Sequence, residues 1–300
     1  MVEKAYRIID NILCENSIPH EIIFVDDGSK DLTWTNICSL HKKYNNVKGV
    51  RFSKNFGKEA AIHAGLYAAE RGGCCVVIDC DLQHPPEKIV EMYRLWEQGF
   101  EVIEGVKTNR GKESFLHSIS AGAFYGMMSS ATGIDMRRAS DFKLLDDKAV
   151  VVLLNMREKN AFFRALSSWI GFKTTCVEFE VQEREIGTSK WSIKSLIKYA
   201  INNITSFSAI PMQIVTALGG FVLAISLILG IMAIVQKIIG IAEDGFTTVI
   251  IVQLLTSSII MICMGIIGYY IEKIYDEVKN RPRYIVSESC GGKAIDEKDN

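Results

Sequence analysis

The sequence predicts an α/β fold, in which a mainly parallel sheet domain is followed by an amphipathic helix and two transmembrane helices. Three observations support this prediction. Runs rich in branched residues alternate with segments of helical spacing over residues 1–190, aspartates follow two of those runs, and two long uncharged apolar runs lie near the C-terminus. Such alternation is typical of right-handed β–α–β crossovers, whose ligands bind beyond the carboxyl ends of the strands.

Four strands are predicted in the N-terminal region from short runs of branched residues. They are 21–27 (EIIFVDD), 47–53 (VKGVRFS), 74–81 (CCVVIDCD) and 100–106 (FEVIEGV). Helices are expected between them, because Asp31 can cap one helix while Pro85 and Pro86 can open another. The first residues have the pattern of an amphipathic helix and lack the apolar core of a secretory signal.

Two C-terminal runs are long and apolar enough to cross a bilayer. Residues 210–235 and 248–271 carry no charge, and each exceeds the roughly 20 residues that a spanning helix needs. Lysines and arginines flank the pair on its outer sides, whereas the short connection has only Lys237 against two acids. The positive-inside rule therefore predicts a multi-pass protein of the cell membrane, with the N-terminal region and the tail in the cytoplasm. A buried helical hairpin in a soluble protein is the alternative.

The segment 191–209 places its apolar residues on one helical face and is expected to lie along the lipid headgroups. Packing of that face on the globular domain is the alternative. The predicted organisation is a domain at 1–190, a juxtamembrane helix at 191–209, two transmembrane helices within 210–271 and a tail at 272–300.

Charge and cysteine usage narrow the classes of partner. The balance of 34 basic and 35 acidic residues predicts no general affinity for nucleic acid. The eight cysteines occur without CxxC pairs or an accompanying set of histidines. This usage indicates reduced thiols and implies no zinc site.

Aspartate pairs follow two of the predicted strands, Asp26 and Asp27 at the first and Asp79 and Asp81 at the third. Residues two apart in an extended chain face the same side, so Asp79 and Asp81 can point together into the crevice. Their hard oxygen atoms suit Mg²⁺ or Mn²⁺ carrying a diphosphate. A solvated turn is the alternative, and a haloacid-dehalogenase phosphatase motif is disfavoured because Gln83 stands where that motif needs threonine.

Five segments in order along the chain carry a resemblance to a known family, namely IIFVDDGSKDLTW, RFSKNFGKEAAIHAGLYAA, VVIDCDLQHPPE, ASDFKLLDDKAV and QEREIGTSKWS. Together they resemble the family-two glycosyltransferases that move a sugar from a nucleotide onto a polyprenyl phosphate. The likeness covers nearly the whole chain and is strongest to the bactoprenol glucosyltransferase branch, with dolichol-phosphate mannose synthases more distant. It implies a GT-A fold, a Mg²⁺ or Mn²⁺ cofactor and inverting transfer of a hexose, most simply from UDP-glucose, to a membrane polyprenyl phosphate. Other UDP-sugars and GDP-mannose are the alternative donors.

The resemblance also implies a role for each matching residue. Asp26 and Asp27 would contact the base and ribose of the donor, and Asp79 would contact the ribose or the sugar. Asp81 and Gln83 would bind the metal, and Asp141 occupies the catalytic-base position. Arg184 and Lys190 would contact the donor diphosphate. A phosphomonoester acceptor is already mostly a dianion at about pH 7. Whether Asp141 orients this acceptor or takes a proton from it is therefore open, as is whether Lys58 caps a helix or contacts phosphate.

Arg137 and Arg138 precede Asp141, and their guanidinium groups suit bidentate contact with the lipid phosphate. An exposed surface pair is the alternative. One hairpin of helices is too small to carry a glycolipid across a membrane, so a separate flippase is the expected partner. The oligomeric state is left open, a homo-oligomer included.

The sequence departs from this family in one respect. Family members start with an apolar strand in the middle of the sheet, and this chain begins after it. The strands at 21–27 and 74–81 are then expected to lack their shared neighbour. Met1 is expected to be an internal methionine of a longer product. The alternative is a damaged homologue, which would be a catalytically inactive membrane-bound nucleotide-sugar-binding or scaffold protein.

Overall fold

The computed structural model describes residues 1–108, 140–156, 163–180, 210–240, 245–279 and 281–291. The chain forms two compact units. The first combines Met1–Ser195 with Pro282–Asn300, and the second is Leu196–Arg281. The predicted juxtamembrane helix at 191–209 lies outside the described residues.

The described part of the first unit alternates strands and helices, as the sequence predicts. Its strands are β1 Ile22–Asp26, β2 Val47–Phe52, β3 Cys74–Val77, β4 Val102–Lys107, β5 Lys143–Asp146, β6 Thr174–Phe179 and β7 Val286–Cys290. Its helices are α1 Val2–Glu15, α2 Thr33–Lys43, α3 Lys58–Ala68, α4 Lys88–Glu97, α5 Asp147–Asn155 and α6 Phe163–Trp169. The α/β class is thereby confirmed.

The strands form two sheets, with the orders β1-β2-β7 and β3-β5-β4-β6. The β1–β2 and β4–β6 pairs are parallel, as helical crossovers require. The β2–β7, β3–β5 and β4–β5 pairs are antiparallel. The pairing is therefore mixed, and each antiparallel pair includes β5 or β7.

The helices of the first unit follow the patterns that the sequence shows for their buried faces and their starts. In α1, five residues at helical spacing are buried: Val2, Ala5, Tyr6, Ile9 and Leu13. The Asp31 carboxylate accepts a hydrogen bond from the Thr33 amide at 2.9 Å and caps the start of α2. The α4 helix follows Pro85 and Pro86, and the amides of its first two residues donate to these proline carbonyls at 3.1 and 3.0 Å.

A Schellman motif ends α1 and turns the chain sharply. The Ile18 amide donates to the Leu13 carbonyl at 2.9 Å, and the Ser17 amide donates to the Cys14 carbonyl at 3.0 Å. Ser17 takes a left-handed conformation with φ 56°. The hydrophobic contact that accompanies this motif is present, because Ile18 and Leu13 share one core cluster. The motif thus folds the segment before β1 back towards α1.

The core of the second sheet lies beneath α4. Met92 of α4 is buried in one cluster with Ile103, Phe142, Leu144 and Val177 from the sheet. At Gly105 the Phe142 ring and carbonyl approach so closely that a Cβ atom would lie 2.7 and 2.9 Å from them. This close approach fixes β5 against β4.

Among the four strands at the edges of the described sheets are β1 and β3. Within the described ranges, β1 pairs only with β2, and β3 pairs only with β5. The residues of β3 and most of those of β1 are only partly buried despite their apolar character, whereas β5 is almost wholly buried. The expectation that these two strands lack a shared neighbour stays a prediction, as does the expectation about the start of the chain.

The C-terminal region contributes to the first unit. The sequence places residues 272–300 in a tail, but a helix of the second unit extends to Val278, and Tyr284 and β7 then pack on the first unit. Glu288 of β7 accepts hydrogen bonds from Trp34 Nε1 at 2.8 Å and from Arg51 Nη1 at 2.7 Å. Residues on both sides of the apolar region therefore share one sheet.

The second unit contains two long apolar helices, α7 Ile210–Ile239 and α8 Phe246–Val278, which contact each other. Their most apolar stretches are Ala217–Gln236 and Leu255–Tyr275, with mean hydropathies of 2.7 and 1.5. Both helices are long and apolar enough to cross a membrane, by length and composition. They match the two runs that the sequence predicts.

Tyr284 gives a test of the packing of the C-terminal region. Its ring is 1% exposed and stacks on Phe52, with ring centroids 4.8 Å apart. We expect Tyr284→Ala to lower the free energy of unfolding by about 3–5 kcal/mol, because it leaves a cavity. Chemical denaturation followed by tryptophan fluorescence measures this loss.

Tyr284→Phe is the matched control. The Tyr284 hydroxyl has no hydrogen-bond partner within the described residues, so its removal is expected to change stability by less than about 1 kcal/mol. If Tyr284→Ala were as stable as Tyr284→Phe, the C-terminal region would not pack on this unit.

Candidate active site

The antiparallel register of β3 and β5 brings two predicted site residues together. Val77 pairs with Lys143 at the end of the β3–β5 ladder, and Asp79 and Asp141 each lie two residues beyond this pair. Lys58 bridges them, with its Nζ 2.8 Å from Asp79 Oδ1 and 2.6 Å from Asp141 Oδ2. The site thus lies at the carboxyl end of β3, where ligands of α/β sheets bind.

Asp141 is buried and held by two cations. Asp141 is 5% exposed. The Arg164 guanidinium binds its carboxylate in bidentate fashion, with Nε 2.6 Å from Oδ1 and Nη2 2.8 Å from Oδ2. Burial alone would raise the pKa of Asp141, but Arg164 and Lys58 outweigh it and hold that pKa well below its usual range. Asp141 is therefore ionised at neutral pH and is a weak proton acceptor.

The first turn of α3 organises these cations. Lys58 is half-exposed, and although burial disfavours its charged form, Asp141 and Asp79 raise its pKa. Next to it, Glu59 Oε2 accepts a hydrogen bond from the Phe163 amide at 2.9 Å. This bond anchors the start of α6, the helix that carries Arg164. The two ends of the ion-pair network are thus fixed by adjacent residues of α3.

The Asp27 carboxylate holds the loop that leads into α3. Its Oδ1 accepts from the Phe56 amide at 2.6 Å, and its Oδ2 accepts from the Gly57 amide at 2.9 Å. These donors lie at the N-terminus of a helix, where a carboxylate is favourable. Asp27 therefore positions Lys58 through the backbone.

Asp26 and Gly28 complete this turn at the end of β1. Asp26 is 2% exposed, and its Oδ1 accepts from the Ser29 amide at 2.9 Å. Its Oδ2 has no hydrogen-bond partner within the described residues and lies 3.5 Å from Arg51 Nε. Gly28 has φ 69°, and a Cβ there would lie 2.5 Å from the Lys54 carbonyl carbon. A side chain at Gly28 would therefore disrupt the loop.

The structure corrects the predicted geometry of Asp79 and Asp81. β3 ends at Val77, not at residue 81, so the two carboxylates do not follow an extended strand. The chain turns instead, Asp81 Oδ1 accepts from the Gln83 amide at 3.1 Å, and Leu82 has φ 57°. The oxygen donors of Asp79, Asp81 and Gln83 fit the ligand chemistry of Mg²⁺ or Mn²⁺.

His84 has a packing role. It is 6% exposed, stacks on Phe142 with ring centroids 5.2 Å apart and meets the edge of Phe179. Burial lowers its pKa, so the ring is neutral under ordinary conditions.

Several predicted residues lie outside the described ranges, namely Arg137, Arg138, Arg184 and Lys190. Conversely, sequence reasoning missed Arg164, which lies in none of the recognised segments, and Glu59, which lies in one of them but was given no role. It singled out Lys58, but as a cap or a phosphate ligand, and the structure shows it bridging two carboxylates.

Comparisons with known proteins identify the family of this chain. The model of glycosyl transferase family 2 matches residues 4–149. The uncharacterized glycosyltransferase YkcC of Bacillus subtilis (strain 168) is 37% identical over 97% of this chain and 90% of its own length. The putative glycosyltransferase CsbB of the same strain is 38% identical over 90% of this chain and 82% of its own length.

A relative whose name states an activity is similar to this chain over a comparable share of its length. The bactoprenol glucosyl transferase of Shigella phage SfII is 34% identical over 91% of this chain and 88% of its own length. The similarity thus extends beyond the matched family domain into the apolar helices. This chain belongs to glycosyl transferase family 2, and it is a glycosyltransferase with a GT-A type domain.

Proposed function

We propose that this glycosyltransferase moves a glucosyl residue from a nucleotide-sugar, UDP-glucose by preference, onto a polyprenyl phosphate at the cytoplasmic face of the cell membrane. The observation that carries the proposal is the Asp79–Lys58–Asp141–Arg164 network at the carboxyl end of β3. The named activity of the phage relative supports the choice of sugar and acceptor. The apolar helices α7 and α8 support a membrane-borne acceptor.

The donor is proposed to bind along the strand ends. The buried Oδ2 of Asp26 has no hydrogen-bond partner within the described residues, and a base N–H or a ribose hydroxyl would satisfy it. Asp79 would contact the ribose or sugar, while Asp81 and Gln83 would hold Mg²⁺ or Mn²⁺. When bound, such an ion neutralises the charge that develops on a leaving diphosphate. Arg184 and Lys190 are proposed to add two further cations there.

The acceptor needs orientation more than deprotonation. Its phosphate is already mostly a dianion at about pH 7. Asp141 is a poor base because Arg164 and Lys58 stabilise its charge. We therefore assign Asp141 the role of orienting the acceptor and the two cations, while Arg137 and Arg138 hold the lipid phosphate. An acceptor oxygen attacks the anomeric carbon, the bond to the donor diphosphate breaks, and the configuration inverts.

Burial places the pKa of Glu59, which lies beside the site, near neutrality. Burial raises its pKa from the ordinary 4.5 to about 7, the Asp141 charge adds to that rise, and the Phe163 amide only partly opposes it. A proton on Glu59 therefore changes the charge beside the network between mildly acidic and mildly basic conditions.

The activity is tested with labelled nucleotide sugars and a polyprenyl phosphate acceptor in detergent. UDP-glucose should give a labelled polyprenyl-phosphate sugar, and a panel of other UDP-sugars and GDP-mannose tests the choice of donor. Donor binding without transfer to any acceptor would contradict the proposal and favour an inactive binding protein. A transferred lipid that stays on one side of a vesicle would be consistent with the need for a separate flippase.

Asp81→Ala is expected to lower the transfer rate by about 100-fold or more, because the donor diphosphate loses its metal ligand. A chelator should abolish the wild-type rate, and added Mg²⁺ or Mn²⁺ should restore it. Glu87→Ala is the matched control, since this exposed carboxylate on the same segment makes no side-chain capping hydrogen bond. Equal losses in the two variants would remove Asp81 from the metal site.

Asp141→Asn is expected to lower kcat by about 100-fold, with a wild-type rate that stays flat above about pH 7. The measurement is a pH profile of kcat in both proteins. Because Glu59 titrates in the same range, the profile is repeated in Glu59→Gln. A wild-type rate that follows a titration near neutrality and persists in Glu59→Gln would instead assign base catalysis to Asp141.

Glu59→Gln is also expected to stabilise the protein at alkaline pH. The folded state holds the Glu59 proton more tightly than the unfolded chain, so stability falls as the pH rises from about 4.5 to about 7. Glutamine keeps an acceptor for the Phe163 amide and removes this cost, on the order of 3 kcal/mol. Thermal unfolding should show a higher midpoint for Glu59→Gln at alkaline pH and no difference near pH 4.5. A difference that is constant across this range would exclude titration as its cause.

A further inference from the structure

Three side chains of types that bind metals meet near the C-terminal end of α1, away from the recognised motifs. They are Asp10, Cys14 and His20, and one ligand atom of each lies within 4.8 Å of the others. Cys14 is exposed, while Asp10 and His20 are partly buried, so an ion could enter from solvent. A carboxylate oxygen, a thiol sulfur and an imidazole nitrogen together form a donor set that suits Zn²⁺.

Local folding explains why these residues meet. Asp10 and Cys14 are four apart on α1 and therefore share one helical face. The Schellman motif at Asn16–Ile18 then reverses the chain and returns His20 to that face. The left-handed conformation of Ser17 is part of this reversal. The cluster thus depends on a turn whose energetic cost is offset by the buried contact of Ile18 with Leu13.

The hydrogen bonds of His20 have the pattern of a metal ligand. His20 Nδ1 lies 2.9 Å from the Ile18 carbonyl oxygen, and Nε2 lies 3.0 Å from Asp10 Oδ1. A neutral imidazole has one N–H, and the carbonyl requires it at Nδ1. Nε2 then faces the Asp10 carboxylate and lies 3.3 Å from Asn46 Nδ2, and either a proton or a metal ion at Nε2 satisfies the carboxylate. Zinc-binding histidines commonly use one nitrogen for the metal and donate the other N–H to a carbonyl.

Polar groups behind the cluster orient its carboxylate. Asn46 Nδ2 donates to Asp10 Oδ1 at 2.9 Å, and the Tyr6 hydroxyl donates to Asn46 Oδ1 at 3.2 Å. Tyr6 is itself buried in the core beneath α1. Such outer hydrogen bonds fix the orientation of ligating side chains.

We propose that Asp10 Oδ, Cys14 Sγ and His20 Nε2 bind one Zn²⁺ ion, with water as the fourth ligand. The ion links α1 to the segment that enters β1 and so stabilises the first unit. The sequence implies no zinc site, because it lacks CxxC pairs. Asp10 and Cys14 on one helix, with His20 beyond a turn, do not form a spacing that is recognised as a zinc motif. This site is independent of the proposed transfer reaction.

Metal titration of the reduced, metal-free full-length protein in detergent tests the proposal. Added Co²⁺ should give a thiolate-to-cobalt charge-transfer band that saturates at one equivalent of Co²⁺. Zn²⁺ should displace the bound Co²⁺ and abolish the band, whereas excess Mg²⁺ should not. Cys14→Ser should lose the band and weaken Zn²⁺ binding by more than about tenfold. Cys176→Ser is the matched control, because Cys176 is also exposed and should keep the band.

Stability provides a second measurement. Zn²⁺ should raise the unfolding temperature of the wild type and of Cys176→Ser, but not that of Cys14→Ser or His20→Ala. A wild-type protein without the cobalt band, or a band that survives in Cys14→Ser, would overturn the proposal. If His20→Ala does not fold, Cys14→Ser alone decides the outcome, since its side chain is exposed and nearly isosteric.

Discussion

Asp141 can remain ionised inside this protein only because two cations face it. A buried carboxylate without partners costs several kcal/mol, and removing one partner of such a pair is strongly destabilising. The neighbouring elements are arranged around this requirement. Asp27 holds the loop that presents Lys58, Glu59 anchors the helix that carries Arg164, and Asp79, just beyond the end of β3, forms an ion pair with Lys58. The site is therefore one electrostatic unit, built from residues at the ends of β1, β3 and β5 and from residues of α3 and α6.

This arrangement explains how the proposed tasks divide. Two carboxylates and two cations leave little net charge for attracting a diphosphate, because each cation is already paired. The charge of the donor is therefore assigned to a metal ion at Asp81 and to Arg184 and Lys190. A paired and ionised Asp141 is rigid and weakly basic, which suits the orientation of an acceptor that arrives already deprotonated.

Much of the fold was predictable from the sequence, because local signals specify its elements. Periodicity predicts β1 to β4, Asp31 and the prolines locate helix starts, and the apolar runs predict α7 and α8. Antiparallel β5 and β7 follow long connections and carry no comparable local signal. The early end of β3 depends on the turn at Leu82, whose left-handed conformation is uncommon for leucine and is not suggested by its residue type.

The candidate site was predictable only in part, for a similar reason. Aspartates at strand ends are visible as motifs, and Asp79 and Asp141 do meet. Arg164 stands in a short helix without a motif, and only tertiary structure shows that its guanidinium reaches Asp141. Lys58 was visible, but its partners depend on the pairing of distant strands. Sequence patterns thus indicate which residues carry chemistry better than they indicate which charges balance them.

The return of the chain to β2 through β7 has a consequence for biosynthesis. The two segments that build this sheet stand on either side of α7 and α8, so both must end in the same compartment. The intervening region can then traverse a bilayer only an even number of times. Moreover, β2 gains its antiparallel neighbour only after both apolar helices have left the ribosome. The globular unit therefore completes its folding only after the helical hairpin has been synthesised.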